Sequence, residues 1–214
     1  SDREANRLIS EFVADKIRQR VKDPKVAEML IPKDHGFGTR RVPQETHYYE
    51  AYNRPNVKLV SMLEEPIERI TEAGVQTSAQ DYEFDVIIYA TGFDAVTGSF
   101  DRIDIRGTGG QRLKDKWAGG PKTFVGVMVD GFPNMFMILG PHTARGNIPR
   151  NIEEIVDGLT DLIKFMRDRD LTYVEPRSEA VDEWGAHVKK ASAGLLSSKV
   201  NSWQTGVNRN VEGR

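Results

Sequence analysis

The 214-residue chain carries 30 Lys and Arg against 32 Asp and Glu, a formal net charge of -2, and no cysteine. That balance, with a pI near 6.1, excludes the broad basic footprint of a nucleic-acid binder; the missing thiols exclude disulfide scaffolds, zinc ribbons and cysteine nucleophiles. No apolar run approaches the ~18 residues of a membrane span and no secretion leader is visible, so a cytoplasmic protein with a sizeable core is expected.

Ala5, Leu8, Ile9, Phe12, Val13 and Ile17 recur at helical spacing between charged residues, which predicts a first helix. Ser1 and Glu4 are placed for a capping box at its start. Asp23-Pro24 reads as the N-cap and first residue of a second helix ending at Met29 or Leu30. Gly36 and Gly38 make 33–39 a loop, and Tyr48, Tyr49 and Tyr52 suggest a short helix before an Asn53-Arg54-Pro55-Asn56 turn. From Val57 the texture turns to strands, at 57–60 and then at 67–71 paired with 75–78 across Glu72-Ala73-Gly74. Residues 84–89 (FDVIIY) are apolar without alternation, the mark of a strand covered on both faces.

Further strands are expected at 103–105, 124–129 and 135–139. Ile152, Ile155, Val156, Leu159, Leu162, Ile163 and Met166 form one stripe, predicting a helix from Asn151 to about Arg169. Another runs from Ser178 to about Ala193 and buries Val181, Trp184 and Val188. The tail from Ser197 is polar and shows no closing element.

Three stretches could carry chemistry. Ala90-Thr91-Gly92 follows the apolar run, and its small residues let a backbone or a ligand approach closely; a tight structural turn accounts for the same residues. Arg40-Arg41 follows a glycine loop, where a solvated surface pair is the plainer reading. Gly140-Pro141-His142-Thr143 leads through Gly146-Asn147-Ile148-Pro149 into a long helix, whose N-terminus offers backbone N–H groups; an ordinary loop with a capping His142 fits equally. His35, His47, His142 and His187 show no ligand spacing, so no metal is expected.

The ordered strings DVIIYATGFDAVTGSF, IDIRG, KWAGGPKTFVGV and FPNMFMILGP resemble the second half of Baeyer–Villiger monooxygenases. The likeness runs from the first helix to Ser202-Trp203. It implies an α/β chain, the C-terminal part of a flavoprotein with two dinucleotide-binding domains: a helical N-terminal piece, then a β-rich segment and amphipathic helices. On this pattern 1–56 is a helical subdomain of the NADP-binding domain, and 57–92 its end with the Ala-Thr-Gly linker. Residues 93–196 are then the C-terminal part of the FAD-binding domain, and 197–214 a mobile active-site loop.

The resemblance further implies oxidation of a ketone to an ester or lactone with FAD, NADPH and oxygen, through a C4a-peroxyflavin. Arg41 takes the place of the catalytic arginine, and Arg40 that of a contact to the NADP 2′-phosphate. Thr91, Gly92, Asn147 and Ile148 fall among the cofactor contacts, with a backbone N–H near Ile148 beside the flavin pyrimidine edge. Trp203 corresponds to a tryptophan that folds over the NADP ribose, whereas Trp117 and Trp184 read as structural.

No GxGxxG occurs, since Arg41 stands at the third position after Gly36 and Gly38. Both glycine fingerprints that cradle pyrophosphate, and the family's FxGxxxHxxxWP signature, are therefore expected in a missing N-terminal half. The chain is expected to be a C-terminal fragment that stops short of the family's end, binds FAD weakly and is not competent alone. Two alternatives remain: an N-hydroxylating or sulfur-oxidising flavin monooxygenase, which shares the Ala-Thr-Gly turn, and a non-catalytic module that kept the fold.

Overall fold

Helix formation begins where a short acid can cap it. Asp2 accepts from the backbone N–H of Glu4 and Ala5 and starts α1 (Arg3–Arg20), with Glu4 in the first turn and Arg18 and Arg20 in the last. Acid first and base last suits the helix dipole. Asp23 caps α2 (Pro24–Leu30) in the same way, with Pro24 at the position where its missing N–H costs nothing. The computed structural model describes residues 2–143 and 146–206, so the expected Ser1 cap lies outside the described residues and Asp2 performs that role.

The chain divides after Gly92 into two units, Ser1–Gly92 and Phe93–Arg214. In the first, Ala14, Ile17 and Val21 of α1 and its end pack on Ala27 and Ile31, with Val13, Leu30 and Tyr49 around them. Tyr49 lies on α3 (Tyr48–Ala51). Three short antiparallel strands follow in the order β1 (Ile67–Ile70), β2 (Gly74–Thr77), β3 (Asp81–Glu83). The β1–β2 hairpin has the expected pairing, Ile70 opposite Val75, while β3 was not foreseen. Gly74 is obligatory, because a Cβ there would strike the Tyr82 carbonyl.

The second unit holds α4 (Gly98–Asp101), α5 (Leu113–Lys116), α6 (Ile148–Arg167) and α7 (Ser178–Ser192). Its core is Leu113, Trp117, Val129, Phe132 and Met137. The Trp117 indole N–H donates to the Lys122 carbonyl at 3.1 Å, and Phe100 meets its ring edge-on at 5.5 Å. Asp130 ties α5 to α7, pairing with Lys116 at 2.9 Å and accepting from Ser178 at 2.9 Å. The 20-residue α6 buries no residue completely: Ile155, Leu159, Leu162 and Met166 are half-buried, while Val156 and Ile163 are exposed. In α7, Val181 is buried, and Trp184 and Val188 only partly so.

Several expected strands do not form. Residues 57–60 and 135–139 carry no ladder, and 103–105 leads only into an isolated bridge between Arg106 and Arg112. Within 124–129, Val125 (φ 44°) and Gly126 (φ 75°) turn the chain back on itself, leaving one bridge between Phe124 and Met128. The largest departure is 84–89. The Phe84 N–H bonds the Ala73 carbonyl at 2.9 Å and there the ladder stops. Val86, Ile88 and Tyr89 are 74%, 85% and 68% exposed rather than covered on both faces. A strand needs a neighbour, and no described segment of the chain pairs with this one. The long helix starts at Ile148, three residues before the expected Asn151, because Asn147 caps it.

Phe132→Ala should destabilise the second unit by ~3–5 kcal/mol, since it empties the centre of the Leu113–Trp117 cluster. Urea unfolding followed by tryptophan emission reads this directly, and a loss below ~1 kcal/mol would place the core elsewhere.

Candidate functional site

Arg40 and Arg41 sit on an irregular loop between α2 and α3 that α1 holds at both flanks. At the near flank the Asn6 amide donates to the Phe37 carbonyl at 2.8 Å, and the Phe37 N–H donates to the Ser10 hydroxyl oxygen at 2.9 Å. Gly36 runs so close to this grip that a Cβ would collide with the Asn6 side-chain oxygen. Thr39, buried at 5% exposure, closes a turn by donating its hydroxyl to the Gly36 carbonyl at 2.7 Å. Gly38 supplies the left-handed residue (φ 74°) that this turn requires.

At the far flank Arg20 joins two carboxylates. It meets Glu45 at 2.6 Å and Glu50 in a two-pronged contact at 2.6 and 2.7 Å, with its guanidinium 5.0 Å from the Tyr49 ring centre. Glu45 in turn accepts from the Tyr48 N–H at 2.8 Å and so caps α3. Arg20 pulls both acids below the usual carboxylate range, Glu50 to about 2. A cleft of about 600 Å³ between α1 and 42–46 is lined by Ile17, Arg20, Val42 and Tyr49; neither Arg40 nor Arg41 lines it.

The two arginines differ. Arg40 is partly covered and pairs with Asp34 at 2.9 Å, and the same carboxylate meets His35 Nδ1 at 2.7 Å. His35 first, and Arg40 second, hold Asp34 below its ordinary pKa. Arg41 is exposed, and its side chain makes no ion pair among the described residues. Thr91 and Gly92, at the end of the same unit, are both exposed; Gly92 is left-handed (φ 83°) with open space where a Cβ would stand.

In the second unit Asn147 and Ile148 form the start of α6. The Asn147 side chain accepts from the Arg150 N–H at 3.3 Å and its carbonyl from Asn151 at 3.0 Å, while Pro149 has no N–H. The Ile148 N–H is left without an acceptor among the described residues, a helix-start donor directed along the positive end of the dipole. Trp203 is 49% exposed in a single 3-10 turn behind buried Ser202. The rest of the expected active-site loop, 207–214, lies outside the described residues.

One feature of this unit carried no sequence signal. Val125, Leu139 and His142 all adopt positive φ (44°, 59° and 79°) without being glycine, a strained arrangement that tends to gather at functional sites. The two segments that carry them lie together: the Met137 N–H bonds the Val127 carbonyl at 2.8 Å, and a Cβ on Gly126 would strike the Thr143 methyl. His142 Nδ1 lies 3.1 Å from the Thr123 hydroxyl, and burial lowers its pKa, which keeps the ring neutral at pH 7. Val125, His142 and Thr143 border a largely apolar cleft of about 530 Å³, whose wall also includes Phe124, Met128, Ile155 and Trp184. Among the described residues no cluster could hold a metal ion, and no helix is long and apolar enough to cross a membrane.

No family model matches the chain. Individual proteins do. It is 50% identical over 207 residues to 2-oxo-Delta(3)-4,5,5-trimethylcyclopentenylacetyl-CoA monooxygenase of Pseudomonas putida, covering 94% of this chain and 37% of that protein. A Baeyer-Villiger monooxygenase of Pseudooceanicola batsensis is 42% identical over 205 residues, covering 95% and 37%. The phenazine N-monooxygenase PhzNO1 of Lysobacter antibioticus is 41% identical over 214 residues, covering 100% and 39%. Among solved structures, OTEMO in complex with FAD and NADP superposes with a TM-score of 0.91 at 49% identity, covering 94% of this chain and 38% of that one. The chain thus spans less than two fifths of the length of each of these proteins.

Two outcomes follow from the α1 grips. Gly36→Ala should cost ~1–3 kcal/mol by displacing Asn6, and should speed amide exchange at Phe37 while leaving α2 protected. Acid should also loosen the loop: Glu45 and Glu50 titrate lower folded than unfolded, so their pairing stabilises at neutral pH. That contribution fades as pH falls from about 4.5 toward about 2. Arg20→Met should remove this acid sensitivity, and an unchanged pH profile in that variant would dismiss the pairing as its source.

Proposed function

Starting from a chain that belongs to the Baeyer–Villiger monooxygenase family, we propose that the protein it is part of converts a ketone to an ester or lactone. FAD, reduced by NADPH and reacting with oxygen, supplies the oxygen atom when bound. The observation that carries the reading is the exposed Arg41, offered without an ion partner among the described residues from a loop that α1 clamps at both flanks.

A guanidinium held there stabilises negative charge on the oxidant and on the tetrahedral adduct of the ketone. It stays protonated at working pH, so it does not quench the nucleophile. Arg40, oriented by Asp34, presents a fork of donors suited to the NADP 2′-phosphate. The remaining candidates fit polar cofactor edges. The Ile148 N–H at the head of α6, without an acceptor among the described residues, suits an anionic ring edge. Gly92, open where a Cβ would be, lets a cofactor lie against the backbone at Thr91, and the exposed Trp203 indole offers a flat cover for a ribose.

The chain has no glycine-rich pyrophosphate cradle, so those contacts belong to the remainder of the protein and this region alone should hold FAD weakly. A supply of NADPH suits a cytoplasmic setting. A second reading, N-oxidation of a heteroaromatic amine, is favoured by the likeness to a phenazine N-monooxygenase. Incubating the full-length protein with a cyclic ketone and with a phenazine separates the two.

Arg41→Lys in the full-length protein keeps the charge but loses the planar fork. Ester formation should drop by ~10²–10³ while NADPH still bleaches the flavin. Unaltered ester formation would remove Arg41 from the chemistry.

A further inference from the structure

Asp34 stands between two partners on the arginine loop. One of its carboxylate oxygens lies 2.9 Å from a terminal nitrogen of Arg40, and the other 2.7 Å from His35 Nδ1. The pair is open to solvent: the Asp34 side chain is 56% exposed and that of Arg40 28%. Three contacts hold the loop without using this carboxylate, those of Asn6 and Ser10 with Phe37 and that of Thr39 with Gly36. Lys33, the next residue along the chain, is paired with Glu28 at 2.5 Å.

A carboxylate at this position acts oppositely on the two nicotinamide cofactors. Any anion bound by Arg40 shares the guanidinium with Asp34. Hydrogen-bond lengths then put the two anions within roughly 8 Å of each other, no farther than the screening length at physiological salt. A phosphate is therefore repelled. A hydroxyl in its place is not, and a carboxylate accepts from it, as Asp and Glu do from the free 2′-hydroxyl in NAD-binding folds. We propose that Asp34 sets the cofactor preference of the full-length protein: its carboxylate opposes the 2′-phosphate of NADPH that Arg40 attracts and accommodates the 2′-hydroxyl of NADH. The protein then discriminates less between the two than Arg40 alone would dictate. This rests on the reading that Arg40 faces that phosphate. Asp34 acts on binding and takes no part in the oxidation.

Titration calorimetry of the full-length protein with NADP+ and with NAD+ tests this, using Asp34→Asn, Asp34→Glu and Arg40→Ala. Asp34→Asn keeps the side-chain shape and leaves the three loop contacts in place. It should tighten NADP+ about 5-fold at low salt, lose most of that gain at ~1 M salt, and leave NAD+ no tighter. Asp34→Glu, which keeps the charge, should match the parent protein. Unchanged or weaker NADP+ binding by Asp34→Asn, while Arg40→Ala still loses NADP+ about 10-fold, would overturn the inference alone. A gain shared equally by NADP+ and NAD+ would also overturn it, because a general loosening of the loop does not recognise a phosphate. If Arg40→Ala binds NADP+ as the parent does, the reading of Arg40 falls and this inference with it.

Discussion

The grip of α1 on the loop between α2 and α3 is what the helical part of the first unit is arranged around. Asn6 and Ser10 hold Phe37 near one end of the helix, and Arg20 holds Glu45 and Glu50 at the other. Asn6 and Arg20 are fourteen residues apart, about 21 Å along a helix axis. The eight steps from Phe37 to Glu45 reach at most roughly 28 Å when fully extended. The loop is therefore drawn along the helix with limited slack, and a segment with no regular structure still presents Arg40 and Arg41 in a defined place. Asn53 reinforces the far end by bonding both the Arg20 carbonyl at 2.7 Å and the Lys22 N–H at 2.8 Å.

The second unit solves the same problem by steric contact. Gly126, Gly140 and Thr143 approach so closely that a Cβ on either glycine would overlap its neighbour. Three non-glycine residues accept left-handed backbone in the process. Polar clamps tolerate rotation of the side chains that make them, whereas backbone-on-backbone contact does not. The entrance to α6 is accordingly set by the identity of two glycines, and the arginine loop by the charges around it.

How far these arrangements could be read from the sequence depends on the range of the interaction. Helices were legible because their signals are local: Asp23-Pro24 marks a start, and the Ile155–Leu159–Leu162–Met166 stripe marks the half-covered side. Hairpin β1–β2 was legible for the same reason. Residues 124–129 and 135–139 misled, because an apolar run looks alike as a strand and as a folded-back turn, and the positive φ of Val125 and Leu139 leaves no trace in residue type. Arg20 escaped notice since its partners lie 25 and 30 residues away. Arg40 and Arg41 drew attention through family likeness; as residues alone they read as a surface pair.

The long α6 leaves its apolar stripe half-covered, with no residue fully buried along twenty. Apolar surface already in contact with water contributes nothing to the heat capacity gained on unfolding. Calorimetry of this chain should therefore show a heat-capacity step below the ~12–15 cal/mol/K per residue of well-packed domains. A small step flattens the stability curve, so the fold weakens gradually on warming and is slow to lose stability on cooling.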